Sequence, residues 1–88
     1  MKKLEIEILS ETINSPIVHM PGRRFPGVVI QGDSLKNLFN LSEEITTLAN
    51  NTTSVELIEA SKELKDLIAG YIKSYESTMR HYGKDLPY

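Results

Sequence analysis

The sequence contains no cysteine and no tryptophan, and it has no long hydrophobic run. Without cysteine there is no disulfide framework, no thiolate metal ligand and no cysteine nucleophile, so the core depends on packing alone. No apolar run approaches the roughly 18 residues that a membrane span requires. The first residues, Met1-Lys2-Lys3-Leu4, lead into alternating glutamates and lack the continuous apolar segment of a signal peptide. These absences predict a cytoplasmic protein that does not contact a membrane.

The chain also has little net charge. Twelve acidic side chains against ten basic ones give a formal charge of −2. Affinity for a phosphate backbone needs many lysines and arginines on one face, so this balance argues against binding of nucleic-acid polymers, although a local basic pocket remains open. At 88 residues the chain is predicted to form one domain over residues 1–88. A domain of this size buries only about 60 to 65% of its surface, so we expect self-association.

Three short segments have the composition of β-strands. Residues 3–9 alternate apolar side chains with glutamate, which is typical of a strand with one buried face. Residues 16–20 and 27–31 are rich in β-branched side chains and are bounded by proline or glycine. Residues 10–15 supply turn-forming side chains between the first two strands. We predict a three-stranded antiparallel meander.

Two helices are predicted to follow, over residues 34–50 and 54–82, joined by a short polar loop. Ser54 is suited to the N-cap of the second helix and Gly83 to its C-cap. The predicted fold class is α+β, a three-stranded antiparallel β-meander followed by an antiparallel two-helix hairpin with a long C-terminal helix. Apolar side chains at three- and four-residue spacing form a stripe on each helix: Leu35, Leu38, Phe39, Ile45, Leu48 and Ala49 on the first, and Leu57, Ile58, Leu64, Leu67, Ile68, Tyr71, Ile72, Tyr75, Met79 and Tyr82 on the second.

The second helix is long for so small a domain, at about 42 Å for about 28 residues. Its apolar stripe continues past the length that the first helix covers. The sequence leaves two interpretations open: the C-terminal helix meets another subunit, or the tail over residues 86–88 folds back over it. The first interpretation predicts a homo-oligomer formed through the long C-terminal helix.

The segment from Pro21 to Leu35, PGRRFPGVVIQGDSL, concentrates special residues more densely than any other part of the chain. Arg23 and Arg24 are candidate ligands for phosphate, because guanidinium groups bind phosphate oxygens bidentately. The alternatives are solvated loop charges or pairing with Glu5 or Glu7. The prolines and glycines around the arginines preset the shape of the loop, which favours anion binding.

The start of the first helix is a second candidate anion site, because free amides and the positive end of the helix dipole favour a phosphate. Simple capping of the helix is the alternative. Phe25 is predicted either to stack on a base or to fill a gap in the core. The candidate phosphate-binding set is Arg23, Arg24, Phe25, Gln31, Gly32, Asp33 and Ser34, with His19, Tyr75, Tyr82 and Tyr88 as candidates for base stacking or for an interface.

The two anion-binding candidates are predicted to lie apart. A four-residue strand over residues 28–31 is about 13 Å long and places the arginines and the helix start at opposite ends. Either the arginines of one chain meet the helix start of a neighbour, or only one end is the site.

No catalytic or metal-binding pattern is present. His19 and His81 have no spacing that suggests a metal pair, and neither has an evident acidic partner in the sequence. Ser34 lacks the Gly-x-Ser-x-Gly context of a nucleophile elbow, and no Walker-type or dinucleotide-binding glycine motif occurs. We therefore expect no catalytic residue, no metal, no cofactor and no enzyme activity.

Through this fifteen-residue stretch and the closing Leu86-Pro87-Tyr88, the chain resembles a family of small uncharacterised bacterial and phage proteins with the motif PGRxFPGxxxQGDSL. The resemblance covers nearly the whole length and implies a fold unit, not an activity. In size and design, the chain also resembles the phage-encoded sponge proteins that sequester nucleotide signals of bacterial immunity. That resemblance implies a phage protein acting in the cytoplasm of its bacterial host.

Two functional hypotheses follow. The first is a non-enzymatic oligomer that sequesters a phosphate-containing, nucleotide-derived signal, such as a cyclic ADP-ribose derivative or a cyclic dinucleotide, in a preformed pocket. The alternative is a protein–protein interaction module of the immunity or antitoxin type, in which Arg23 and Arg24 anchor the protein on an acidic partner.

Overall fold

The computed structural model describes residues 1–11 and 15–88. In chain order it contains β1 (Glu7–Ser10), β2 (Ile17–His19), β3 (Gly27–Val28), α1 (Gly32–Asn50) and α2 (Val55–His81). This order confirms the predicted α+β fold, with a long second helix. The predicted turn over residues 10–15 includes residues 12–14, which lie outside the described part of the chain.

The chain divides into two compact units. The sheet unit spans Met1–Gln31, and the helical unit spans Gly32–Tyr88. A single domain over residues 1–88 stays a prediction.

The sheet unit is an antiparallel meander in the order β1-β2-β3. Ile8 pairs with Val18, whereas the next pair is Ser10 with Ile17, so the register shifts by one residue at Leu9. Such a bulge bends the strand and leaves the extra residue unpaired. Of the described apolar side chains in this unit, the buried one is Val18, in the central strand.

The strands are shorter than the alternating pattern predicts. β1 begins at Glu7 and not at residue 3, and β3 ends at Val28. The amide of Val29 still donates to the carbonyl of Pro16 over 2.9 Å. Pro16 has no N–H to donate in return, so the reciprocal pairing of β2 and β3 stops there.

Both ends of α2 have the caps that the sequence predicts. The Ser54 hydroxyl accepts a hydrogen bond from the Leu57 amide over 3.2 Å, which satisfies one of the free donors of the first turn. At the other end Gly83 has a φ of +64°. Its amide donates to the carbonyl of Arg80, and the amide of Lys84 donates to that of Met79. This pair of bonds is a Schellman motif, which needs a left-handed residue at Gly83.

Small side chains form the seam between the two helices. Ser42 is 1% exposed and Ala49 2% exposed, and Ser61 and Ile72 of α2 are also buried. The Thr46 hydroxyl donates to the carbonyl of Ser42 in its own helix and to that of Ser61 in α2. Small residues let the helix backbones approach closely, so most of the larger apolar side chains remain outside this seam.

Contacts at the two ends of the seam give the helix direction. Thr46 contacts Ser61, whereas Gly32, at the start of α1, lies under the ring of Tyr75. Residue numbers fall along α2 as they rise along α1, so the helices are antiparallel, as predicted. Among the described residues, no helix is both long enough and apolar enough to cross a membrane.

Candidate interaction site at the arginine turn

The arginine turn, defined here as residues 20–25, follows directly after β2. Gly22 has a φ of +79°, a left-handed conformation that glycine adopts without a steric cost. The amide of Arg23 donates to the carbonyl of Met20 over 3.2 Å and closes the turn. The Nε2 of His19 lies 2.7 Å from the Arg23 carbonyl oxygen, to which it donates. His19 is the last residue of β2, and its hydrogen bond therefore holds the turn against the end of that strand.

The side chains at the tip of the turn point outward. The Phe25 ring is 71% exposed, so Phe25 does not fill a gap in the core. The guanidinium carbon of Arg24 lies 5.1 Å from the centroid of that ring, which is a cation–π arrangement. Neither Arg23 nor Arg24 donates a side-chain hydrogen bond or forms an ion pair within residues 1–11 and 15–88. Among the described residues, the alternative in which these arginines pair with Glu5 or Glu7 is therefore not observed.

An open depression of about 480 Å³ lies beside the turn. Its lining residues include Arg23 and His19 together with Glu5 and Glu7. Two acidic groups and one guanidinium make this depression a poor host for a phosphate. The exposed tip of the turn is therefore the better place for an anionic group to bind.

The second predicted anion site, at the start of α1, lies in the helical unit. The Asp33 carboxylate accepts from the amide of Ser34 over 2.8 Å. The ring of Tyr75 occupies the space beside Gly32, where a Cβ would overlap it. A carboxylate and a phenol ring thus already contact this helix start. Gln31 is exposed at the end of the sheet unit, and its role in binding stays a prediction.

The C-terminal tail folds back on the helices. The Tyr88 hydroxyl donates to Oε2 of Glu76 over 3.0 Å. Nζ of Lys36 lies 5.1 Å from the ring centroids of both Phe39 and Tyr88. Partial desolvation raises the pKa of Tyr88 above its usual value of 10.0, and the hydrogen bond to Glu76 adds to the increase. The tail therefore folds back on the helices, as one of the two interpretations expects, and contact of α2 with another subunit stays a prediction.

Sequence reasoning missed Lys36 and Glu76 as partners of Tyr88. The spacing of Lys36 and Phe39, three residues apart on a helix, predicts their contact, but nothing in the sequence links Tyr88 to Lys36. Tyr82, the other candidate near this end, packs edge-on against His81 with ring centroids 4.8 Å apart. These aromatic residues stabilise the end of the hairpin.

Among the described residues no group of three or more histidines or carboxylates is placed to hold a metal ion. The chain matches no curated protein and no solved structure. The motif over residues 21–35 and the resemblance to sponge proteins stay predictions. A family model does match, over residues 1–88, and the chain belongs to that family of unknown function, DUF6959.

Proposed function

We propose that the protein is a non-enzymatic interaction module of the cytoplasm, which docks its arginine turn on an acidic surface of a partner protein. The observation that carries this proposal is the tip of the turn, where the guanidinium groups of Arg23 and Arg24 have no acceptor among the described residues and that of Arg24 lies beside an exposed aromatic ring. Arginine and aromatic side chains are the residue types that dominate interface energies.

The backbone of the turn supports the proposal. The bonds from Arg23 to Met20 and from His19 to Arg23 hold the turn in one shape before a partner arrives. A preformed loop loses less conformational entropy on binding, so more of the contact energy appears as affinity. Two bidentate contacts with carboxylates on the partner would fix its orientation as well.

The shape of the adjoining surface favours a protein over a small ligand. A small ligand usually has most of its surface buried in a concave site. The depression beside Arg23 is open, and its lining residues include Glu5 and Glu7, whose negative charge disfavours a phosphate. A protein partner needs only the outward tip and does not have to enter the depression.

The test compares three forms of the full chain as bait in host extract: wild type, Arg23→Ala/Arg24→Ala, and Lys62→Ala/Lys65→Ala. The control pair removes the same charge from α2. We expect a partner that the wild type and the control retain and that the arginine variant loses. Binding of that purified partner should weaken as salt rises, since it depends on charge pairs. Equal retention by all three forms would contradict the proposal.

Sequestration of a nucleotide-derived signal is the second candidate, and the Arg24–Phe25 pair favours it. A guanidinium group beside an exposed ring can bind a phosphate while the ring stacks on a base. No bond is broken in this mechanism, so the signal should be released intact after heat denaturation. A hydrolase would release a degraded product instead.

Calorimetry with cyclic ADP-ribose isomers and cyclic dinucleotides tests this candidate. Binding to the wild type that Phe25→Ala abolishes would favour sequestration. If none of these ligands produces a heat of binding, these ligand classes are excluded and the interaction module is the function that still stands.

Self-association through α2 is part of both candidates. An oligomer presents one arginine turn per chain, and several turns together bind more tightly than one. The arginine turn itself is needed for the partner, so self-association uses another surface of the chain.

A further inference from the structure

Besides Val55 at the start of α2, the two helices carry eight large, exposed apolar side chains that do not contribute to the seam. Leu48 is 61% exposed and Tyr71 is 65% exposed, and the other six are also exposed. We call this set the apolar face: Leu38, Leu41, Ile45 and Leu48 of α1, with Leu57, Leu64, Leu67 and Tyr71 of α2.

All eight lie on the same side of the hairpin. At about 100° per residue, the apolar stripe of α1 is centred about 70° from the seam positions Ser42 and Ala49. The stripe of α2 is displaced by about 85°, in the same rotational sense, from Ser61 and Ile72. Because the helices face each other and run antiparallel, rotations in the same sense seen from each N-terminus bring both stripes to one side.

The opposite side of the hairpin is polar. Glu43 and Thr47 of α1 lie there, with Lys62, Asp66 and Lys73 of α2 at equivalent positions. The helical unit is therefore amphipathic as a whole. It has one large apolar side and one charged side.

The area of the apolar face matches an interface. The exposed parts of its side chains amount to about 800 Å², compared with roughly 300–600 Å² for the largest patch on a typical monomer. A standard protein interface takes about 800 Å² from each partner. One copy of this face thus supplies what one partner of a stable dimer needs.

We infer that the apolar face binds the same face of a second copy of this chain, so that the two hairpins form a four-helix bundle. A surface that meets its own copy across a two-fold axis closes the assembly at two subunits. Since the other side of the hairpin is polar, no second apolar surface of the helical unit is left to extend it. Four-helix bundles bury leucine-rich stripes of this type.

This inference deepens the self-association of the proposed function and rests on it, but it does not involve the arginine turn. It also uses a different contact surface from the one in the sequence analysis. There, one of the two open interpretations places self-association on the overhanging end of the C-terminal helix. The apolar face instead lies where α1 and α2 run side by side.

Charges at the rim make the salt dependence of the dimer diagnostic. The outer edges of the apolar face carry Glu44 of α1, with Glu56 and Glu63 of α2. In a symmetric dimer these carboxylates repel one another, and salt screens that repulsion. The dissociation constant of the dimer should therefore fall as the salt concentration rises. Binding of a basic partner segment to the same face would instead become weaker as the salt concentration rises.

The test measures molar mass by analytical ultracentrifugation over a range of concentrations at low and high salt. We expect wild type at twice 9.9 kDa, with tighter association at high salt. Leu48→Glu/Leu67→Glu should raise the dissociation constant roughly 100-fold or more, because the dimer would bury unpaired charges. Thr47→Glu/Ser77→Glu adds the same side chains to the polar side and should remain dimeric.

Circular dichroism separates loss of association from loss of fold, since both leucines are exposed and their replacement should leave the helices intact. Several outcomes would overturn the inference: a monomeric wild type, a larger oligomer, a dimer that the leucine variant retains, or a dimer that salt weakens. A monomer that binds an amphipathic leucine-lysine peptide would assign the face to a basic partner instead. A folded leucine variant that is monomeric and retains the captured partner would support the dimer.

Arg23→Ala/Arg24→Ala is measured in the same experiment. If this variant stays dimeric and also retains the partner, the docking proposal fails while the inference about the apolar face stands. If it becomes monomeric, self-association uses the arginine turn and the inference fails.

Discussion

Replacing Gly32 by alanine should destabilise the protein although the helix favours alanine. Gly32 is the first residue of α1, and its φ is not in the left-handed region. In a helix interior the change from glycine to alanine would stabilise by about 0.5–1 kcal/mol. A Cβ at Gly32, however, would overlap the ring of Tyr75. The helix preference for alanine therefore raises the free energy of unfolding, whereas the overlap with Tyr75 lowers it.

The packing effect is the larger one. The overlap involves Cε1, Cζ and the hydroxyl of Tyr75, so the whole ring has to move and cannot simply tilt. Tyr75 is half-buried, and overpacking at such a site costs about 1–3 kcal/mol. We expect Gly32→Ala to lower the free energy of unfolding by about 1–2 kcal/mol. In a domain of this size, that corresponds to a fall in Tm of about 4–15 °C.

Urea denaturation at one fixed protein concentration measures the effect, since self-association would make the stability depend on concentration. Gly70→Ala is the matched control, because Gly70 lies inside α2 and a Cβ there meets nothing within 4 Å. It should stabilise by about 0.5–1 kcal/mol. In a Tyr75→Ala background, Gly32→Ala should change from destabilising to neutral or stabilising. If Gly32→Ala stabilises the wild type as much as Gly70→Ala does, the packing argument is wrong.

Three further changes have expected outcomes. Ser54→Ala removes the acceptor of the Leu57 amide and should cost about 1 kcal/mol in urea denaturation, with Thr53→Ala as a near-neutral control. Gly83→Ala places a side chain at a φ of +64° and should cost about 1–2 kcal/mol, whereas a loss under 0.5 kcal/mol would show that the C-cap does not need glycine. Glu76→Gln should bring the raised pKa of Tyr88 back toward 10.0, as measured by NMR of labelled tyrosine, and no change would contradict the hydrogen bond. The folded state holds the proton of the Tyr88 hydroxyl more tightly than the unfolded state does. The contribution of this hydroxyl to stability is therefore complete below pH 10 and is lost as pH rises through the raised pKa.

Local signals in the sequence predict the fold class and the bounds of α2. Ser54 and Gly83 act on their own neighbours, so their effect can be predicted without the rest of the structure. The ends of the strands could not be predicted in this way. Apolar alternation indicates a strand, but the pairing of β2 with β3 stops because Pro16, from another part of the chain, has no N–H.

The sequence could not show which helix residues meet each other. Leucine periodicity predicts an apolar stripe but does not say whether the stripe packs inside the chain or against another one. The seam uses Ser42 and Ser61, whose hydroxyls are satisfied by carbonyls in their own helices, so polar residues share the buried positions with Ala49 and Ile72. Likewise, the sequence places Gly32 in a predicted anion site but gives no sign of its contact with Tyr75, 43 positions later.

The site itself divides into a predictable and an unpredictable part. The arginines and the glycine of the turn were predictable, because guanidinium groups and a left-handed residue are local features. The role of His19 was not, since its bond to the Arg23 carbonyl depends on how the turn folds back on β2. A sequence motif therefore indicates which groups are offered to a partner, but not what holds them in place.

The arginine turn and the apolar face lie in different units of the chain, so their contributions to binding should be separable. A dimer carries two arginine turns, and on a dense layer of immobilised partner both can bind at once. Leu48→Glu/Leu67→Glu should then lose roughly 100-fold in apparent affinity on a dense layer and very little on a sparse one. Arg23→Ala/Arg24→Ala should lose affinity on both, because it removes the contact itself. Surface plasmon resonance at two partner densities measures this difference, and an equal loss for the leucine variant at both densities would mean that the apolar face contacts the partner directly.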